Sequence, residues 1–260
     1  MKKLYIVSTG AGGTSYLTRQ ALDAIKDSEV IVGYTKYLKE LKDEIQGKEL
    51  FNSGMTKEIA RCSQAIDMAL EGKTTTIVSN GDVNVYGMAT LVVELIDDRN
   101  LWDEIEVISV PGVTSVFAAA SKVGAPISQD FAVISLSDRL TDPDMINKRI
   151  FNAIDADFVT AIYNPKSKKR IQPYLDFLDI LSKFDERVIT VAQNVGREEK
   201  EHIVVTTSTD LIKQGLEHPD VGMSTLIIVG NSNSKLTKNG KILTPRGYLN
   251  KYENTGELKE

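Results

Sequence analysis

The stretch TTTIVSNGDVNVYGMATLVVEL, Thr74–Leu95, carries an apolar strand into Gly81-Asp82 and from there into an amphipathic helix. Thr74 to Asn80 reads as a strand. Gly87 to Asp97 reads as the helix. The acid between them has two readings. Its carboxylate braces backbone N–H groups and fixes the loop, or it caps the helix that follows, since Asp is a favoured N-cap residue.

The same alternation extends in both directions. Upstream, LYIVST reads as a strand, Thr14 to Lys26 as a helix, EVIVGY as a strand and Thr56 to Leu70 as a helix. Downstream come the strand EVISV, a break at Pro111-Gly112 and a small-residue helix from Thr114 through VFAAASKV. Strands alternating with helices imply crossover connections and a parallel sheet. These elements complete a first α/β lobe over residues 1–120. Gly124-Ala125-Pro126 interrupts the pattern. A second lobe over 121–248 then follows: FAVISLSD, a helix Asp142 to Ile154, FVTAIYN, a helix Arg170 to Phe184, VITVAQN, HIVVTT and STLIIVGN, with more mixed strand directions. Residues 249–260 read as a polar, frayed tail.

Composition removes several classes of function. The 260 residues are 42% apolar and 26% charged, enough to build a packed core. One cysteine and two histidines, Cys62, His202 and His218, preclude a disulfide framework and supply too few soft ligands for zinc or iron–sulfur, so no resident metal is expected. Cys62 lies on the apolar stripe Ile59, Cys62, Ile66, Ala69, Leu70 and reads as a core thiol. No apolar run approaches the roughly 18 residues of a membrane span, and the N-terminus lacks a signal-peptide core, so a cytoplasmic protein without a membrane partner is expected. A net charge of −5 argues against non-specific nucleic-acid binding.

Several predicted strands end in glycine or turn-forming residues: STGAGG, SNGD, VPGVTS, YNPKS and GNS. In open α/β sheets ligands bind beyond the carboxyl ends of strands, where glycine admits close backbone approach, so these tips are expected to converge on one cleft. The dinucleotide fingerprint fails, because position 15 is Ser15 and the second strand ends in Gly33-Tyr34 rather than an acid. The full Gly-x-x-x-x-Gly-Lys-Ser/Thr phosphate loop is also missing from the sequence.

Taken in order, GDVNVYGMA, VPGVTS, FAVISLSD, YNPKSKKR, QNVGRE, IIVGNS and ILTPRGY resemble the tetrapyrrole methylase family, and within it the precorrin-3B C(17)-methyltransferases of cobalamin synthesis. The resemblance covers Lys3 to Tyr248. It implies two α/β lobes with an active-site trough between them, a homodimer, S-adenosylmethionine as methyl donor and a tetrapyrrole (precorrin) acceptor. Position by position, it implies donor contacts at Gly81, Asp82, Val83, Asn84, Val85, Thr114, Ser115, Tyr163, Asn164, Asn194, Val195, Ser224 and Thr225. Thr9, Gly10 and Gly12 of the first loop would meet the acceptor. Two loops depart from the family pattern. Where the family has Gly-x-Gly-Pro-Gly this chain has Ser8-Thr9-Gly10-Ala11-Gly12. Where it has Gly-Asp-Pro-Gly this chain has Gly81-Asp82-Val83-Asn84, which removes a fixed φ at position 83 and leaves Asn84 to supply left-handed geometry.

The chemistry implied fits a chain poor in His and Cys, because methyl transfer from a sulfonium to an electron-rich carbon is driven by the donor and by positioning. The ring contraction associated with this branch needs proton movement, and Asp138 with neighbouring Ser137 is the acid–base candidate; the alternative for Asp138 is a cap of the next turn. An acceptor rich in carboxylates needs local positive charge on this acidic protein. Lys166, Lys168, Lys169 and Arg170 supply it, at a helix start where the dipole disfavours cations by a few tenths of a kcal/mol each. Charge placed against the local rule points to binding.

Overall fold

The computed structural model describes residues 2–54 and 57–259. Thr56, the expected start of one helix, lies outside them. Contacts divide the chain into two compact units, Met1–Ala118 with Gly196–Glu199, and Ala119–Val195 with Lys200–Glu260.

In the first unit the chain runs β1 (Lys2–Ser8), α1 (Arg19–Asp27), β2 (Val30–Tyr34), α2 (Thr35–Glu40), β3 (Glu49–Ser53), α3 (Glu58–Leu70), β4 (Thr75–Ser79), α4 (Ala89–Asp98), β5 (Ile105–Val110) and the start of α5 (Ser115–Val123). All five strands are parallel, in the order β3-β2-β4-β1-β5. Successive strand residues point to opposite faces, and both faces are covered. Leu4, Ile6, Val30, Val32 and Ile77 pack on Cys62, Ile66, Val92 and Ile96 of α3 and α4. Val7, Ile31, Val78 and Val110 pack on Ala21, Ala24, Ile25 and Leu38 of α1 and α2. Cys62 is a core residue as expected, and burial pushes its thiol up to about 12.

The helix expected from Thr14 begins only at Arg19. Thr14–Tyr16 forms a separate 3-10 turn, and the Thr18 hydroxyl accepts the Ala21 N–H as the N-cap of α1. The helix after β4 likewise starts at Ala89, two residues later than expected, and Met88 precedes it with no side-chain cap.

The second unit continues from α5 through β6 (Gly124–Ala125), β7 (Phe131–Ser135), α6 (Pro143–Asp155), β8 (Val159–Tyr163), α7 (Gln172–Leu181), β9 (Val188–Gln193), β10 (His202–Thr207), α8 (Ser208–Gln214), β11 (Thr225–Val229), β12 (Lys235–Leu236), β13 (Ile242–Leu243) and α9 (Tyr248–Lys251). Its main sheet has the order β10-β9-β11-β8-β7, with β7 and β8 parallel and the other pairs antiparallel, the mixed direction expected. Ile146, Ile150 and Ile154 of α6, spaced by four, join Tyr174, Phe177, Leu178 and Leu181 of α7 over Ile134, Ile162, Ile189, Val191 and Ile227. A small sheet, β12-β13-β6, anchors the segment before α9, and buried Thr244 donates to Pro126 O at 2.6 Å. The polar tail forms α9 and a bridge between Tyr252 and Leu258.

Candidate active site

The carboxyl ends of β1, β4 and β5 lie side by side in the first unit. Asp82 answers the question its position raises. Its Oδ2 accepts the Gly112 N–H at 2.9 Å and its Oδ1 accepts the Asn84 N–H at 2.8 Å. With α4 starting seven residues later, Asp82 is a brace between the β4 and β5 loops and not a helix cap. Both carboxylate oxygens are acceptors in charge-assisted bonds, which hold better than neutral ones.

Ser8 performs the same task from below. Fully buried at the end of β1, its hydroxyl donates to Val110 O at 2.6 Å and accepts the Val83 N–H at 2.9 Å. Thr9, also buried, bonds Ser79 O, while Gly10 and Gly81 exchange N–H to O bonds at 3.1 and 2.7 Å. Gly10 is required on two counts: φ is +77°, and an added Cβ would fall 2.5 Å from Tyr16 O. Gly12 packs beneath Gly196 and Arg197, where a Cβ would lie 2.8 Å from Arg197 Cγ. Arg197 in turn donates to Glu40 at 2.9 Å and to Asn80 at 3.2 Å, and Asn80 holds Gly10 O at 2.7 Å. Gly196–Glu199 thus closes the tip of the first unit, although its neighbours in sequence belong to the second.

The loop between Asp82 and α4 takes its left-handed residue at Tyr86, φ 57°, and not at Asn84 as the sequence suggested. A bulky residue held there is an outlier of the kind that gathers at functional sites. Gly87 follows because a Cβ would sit 2.6 Å from Val83 O. The N–H groups of Val83, Asn84 and Val85 are all spent inside the unit, on Ser8 Oγ, Asp82 Oδ1 and Asp82 O. Asp82 O and Val83 O are spent as well, accepting the Val85 and Ala89 N–H groups, so the backbone groups this loop leaves for a ligand are the carbonyls of Asn84 and Val85, which suit a cation. Gly81, by contrast, faces space: a Cβ there would find no atom nearer than 3.8 Å. Thr114 is buried, and its carbonyl starts α5 by accepting from Phe117 and Ala118; Ser115 is the first residue of that helix.

In the second unit, β8 ends at Tyr163, β9 ends at Gln193 and β11 begins at Thr225, all at one edge. Asn164 and Asn194 both adopt left-handed φ, 51° and 50°, and Asn194 N–H donates to Ser224 O at 2.9 Å. Asn164 Nδ2 donates to Ser135 Oγ at 3.0 Å, which also accepts the Ser137 N–H at 3.2 Å. Val195 is buried, and Thr225 is fixed by bonds to Gly222 N and Asp220 O. Tyr163, Asn164, Asn194, Ser224 and Thr225 are thus brought together.

The four cations divide. Lys166 Nζ donates to Leu216 O and lies 5.6 Å from the centre of the Tyr174 ring. Arg170 donates to Leu136 O and to Asn164 O, the latter at 2.7 Å, and lies 3.9 Å from Asp138. Burial lowers the Arg170 pKa and Asp138 opposes that shift. Arg170 straps the β7 and β8 loops together and Lys166 ties the β8 loop to the turn after α8, whereas Lys168 and Lys169 are exposed. Asp138 does not cap α6; Asp142 does, accepting from Asp144 N–H at 2.8 Å. Ser8, Asn80 and Gly112 are not marked as site residues by sequence. The available signal was a serine closing an otherwise apolar strand.

Among the described residues no cluster of three metal-binding side chains occurs, and no helix is long and apolar enough to cross a membrane. The family model for tetrapyrrole (corrin/porphyrin) methylases matches residues 3–212. A protein of Methanocaldococcus jannaschii named "Probable cobalt-factor III C(17)-methyltransferase" is 39% identical over 254 residues, 96% of this chain and 99% of that one. A Salmonella typhimurium protein of the same name is 38% identical over 247 residues, 94% and 99% of the two chains. The crystal structure of the methyltransferase CobJ matches with a TM-score of 0.86 and 29% identity, over 94% of this chain and all of that one. With a braced glycine loop at the tips of its parallel sheet and a family match spanning most of its length, the chain belongs to the tetrapyrrole methylase family.

Proposed function

We propose that this protein is an S-adenosylmethionine-dependent methyltransferase acting on carbon 17 of cobalt-factor III or precorrin-3B, with associated ring contraction, in cobalamin biosynthesis. The observation that carries the reading is the 39% identity, over nearly the whole of both chains, to a protein named for that activity. The donor supplies an electrophilic methyl group on a sulfonium centre. The ring carbon's electron pair forms the new C–C bond as the C–S bond breaks, and sulfur leaves as a neutral thioether. The chain's contribution is positioning, which in favourable cases lowers a barrier by about 7 to 11 kcal/mol.

We assign the donor to the strand tips around Gly81–Val85, Thr114 and Ser115, where loop carbonyls suit its ammonium group, and to Tyr163, Asn164, Asn194, Val195, Ser224 and Thr225. Thr9, Gly10 and Gly12 are assigned to the acceptor's approach. Lys168 and Lys169 are the cations assigned to its carboxylates, with Lys166 and Arg170 holding the loop that presents them. Asp138 and Ser137 are assigned to proton movement. A homodimer in the cytoplasm with this tetrapyrrole as its small-molecule partner completes the proposal.

Mass spectrometry of the macrocycle after incubation with isotopically labelled donor tests it. One labelled methyl, located on carbon 17 by NMR, is the expected result. Binding of macrocycle without any methyl gain would instead indicate a tetrapyrrole-binding protein. Reversing the charge at Lys168 with K168E is expected to raise acceptor KM about three- to tenfold at low salt and less at high salt, because exposed charges are screened, with donor affinity unchanged. Steady-state kinetics at two ionic strengths reads this out; equal losses for donor and acceptor would contradict the assignment.

A further inference from the structure

We propose that Ser8 is the positioning residue for the donor loop, an inference that rests on the donor assignment above. Three observations carry it. The Ser8 side chain has no exposed surface and lies at the junction of β1, the β4 loop and β5. Its hydroxyl uses both of its capacities, as donor to Val110 O at 2.6 Å and as acceptor from Val83 N–H at 2.9 Å. Val83 is also fully buried, so no solvent reaches its side chain to relieve a misplaced loop.

The consequence is a reciprocal dependence between positions 8 and 83. A residue with an N–H at 83 needs an acceptor beneath it, because a buried donor left unpaired carries its full desolvation penalty. A proline at 83 has no N–H and needs none. Ser8 meets the requirement that Val83 creates. With the hydroxyl gone, Val83 N–H must turn outward for water, and the turn from Asp82 to Tyr86 turns with it. Asp82 cannot compensate, since its two oxygens already hold Gly112 and Asn84. The ligand-competent loop becomes a minor conformer, and apparent affinity falls by the fraction that remains competent.

The test uses the full chain and four proteins: wild type, S8A, V83P and S8A/V83P. Alanine keeps the Ser8 Cβ and removes only the hydroxyl. S8A is expected to weaken S-adenosylmethionine binding, measured calorimetrically, about ten- to hundredfold. Acceptor KM is expected to stay within about twofold, a split that general loss of structure would not produce. V83P is expected to cost less donor affinity in the S8A background than in wild type, because proline removes the group that the missing hydroxyl strands. Urea denaturation of the same four proteins should show the same non-additivity.

Donor affinity of S8A within about twofold of wild type, or equal losses on adding V83P to either background, would overturn the proposal. Should neither proline variant fold, the split between donor and acceptor in S8A decides alone. If wild type itself binds no S-adenosylmethionine, yet the urea midpoints are non-additive, the donor reading fails and the hydrogen-bonded dependence stands. Additive midpoints with intact donor binding in wild type fail the dependence and spare the reading.

Discussion

Alanine at position 112 is expected to lower stability by about 3 to 5 kcal/mol. The added Cβ would fall 2.4 Å from Ser8 Cβ and 2.5 Å from Gly81 O. Neither neighbour can yield cheaply. Ser8 is held by two hydrogen bonds, and Gly81 is locked by its reciprocal pair with Gly10. Overpacking a tight site costs typically about 1 to 3 kcal/mol, and a shift of the β5 loop to relieve it would break the Gly112 to Asp82 bond, worth roughly 1.5 to 3 more. Gly112 does not need left-handed φ, so the requirement is for space alone. Gly81 is the control: φ there is +72°, but a Cβ meets no atom nearer than 3.8 Å, so G81A is expected to cost only the strain of about 1 to 2 kcal/mol. Urea midpoints of the two variants decide it. A G112A protein as stable as G81A would show that the tips of β1 and β5 are not packed as described.

The parallel sheet of the first unit was legible because strand and helix periods alternate over most of Leu4 to Val123, and burial on both sheet faces leaves continuous apolar runs such as VIV at 30–32 and TIV at 76–78. Glu49–Ser53 was harder to see. As the edge strand β3 it buries little, and its sequence ELFNS lacks the β-branched signature. The helices α2 and α8 carry no periodic signal in the sequence, because six and seven residues are too few to display one. For the site, strand tips rich in glycine were visible, but the partners of each polar group were not. Asp82 could be a cap or a brace on local sequence alone. Only the register of β4 beside β1 and of β1 beside β5 brings Gly112 within reach of its carboxylate. The cluster KSKKR showed its charge and concealed its division, since the pinning of Lys166 and Arg170 depends on carbonyls 50 and 34 residues away. Gly196–Glu199 joins the first unit through Arg197, Glu40 and Asn80, a contact with no local signal.

Replacing Asp82 by asparagine is expected to weaken donor binding by roughly 2 to 3 kcal/mol, about 30- to 150-fold, despite the near-identical shape of the two side chains. Both carboxylate oxygens accept N–H groups, from Gly112 and from Asn84. An amide offers one acceptor and one donor. Whichever way it is turned, an NH2 group faces an N–H, so one bond becomes a repulsion and the other loses its charge assistance. Asn84 is exposed and can find water, so the amide oxygen should stay with Gly112 and the turn from Val83 to Val85 should open. That turn carries the carbonyls assigned to the donor. D82A removes both acceptors but introduces no opposing donor, so its loss should be no greater than that of D82N. Calorimetric titration with S-adenosylmethionine separates the two accounts. A D82N protein that binds like wild type while D82A does not would mean that one hydrogen bond suffices, and that the second oxygen does not hold the loop.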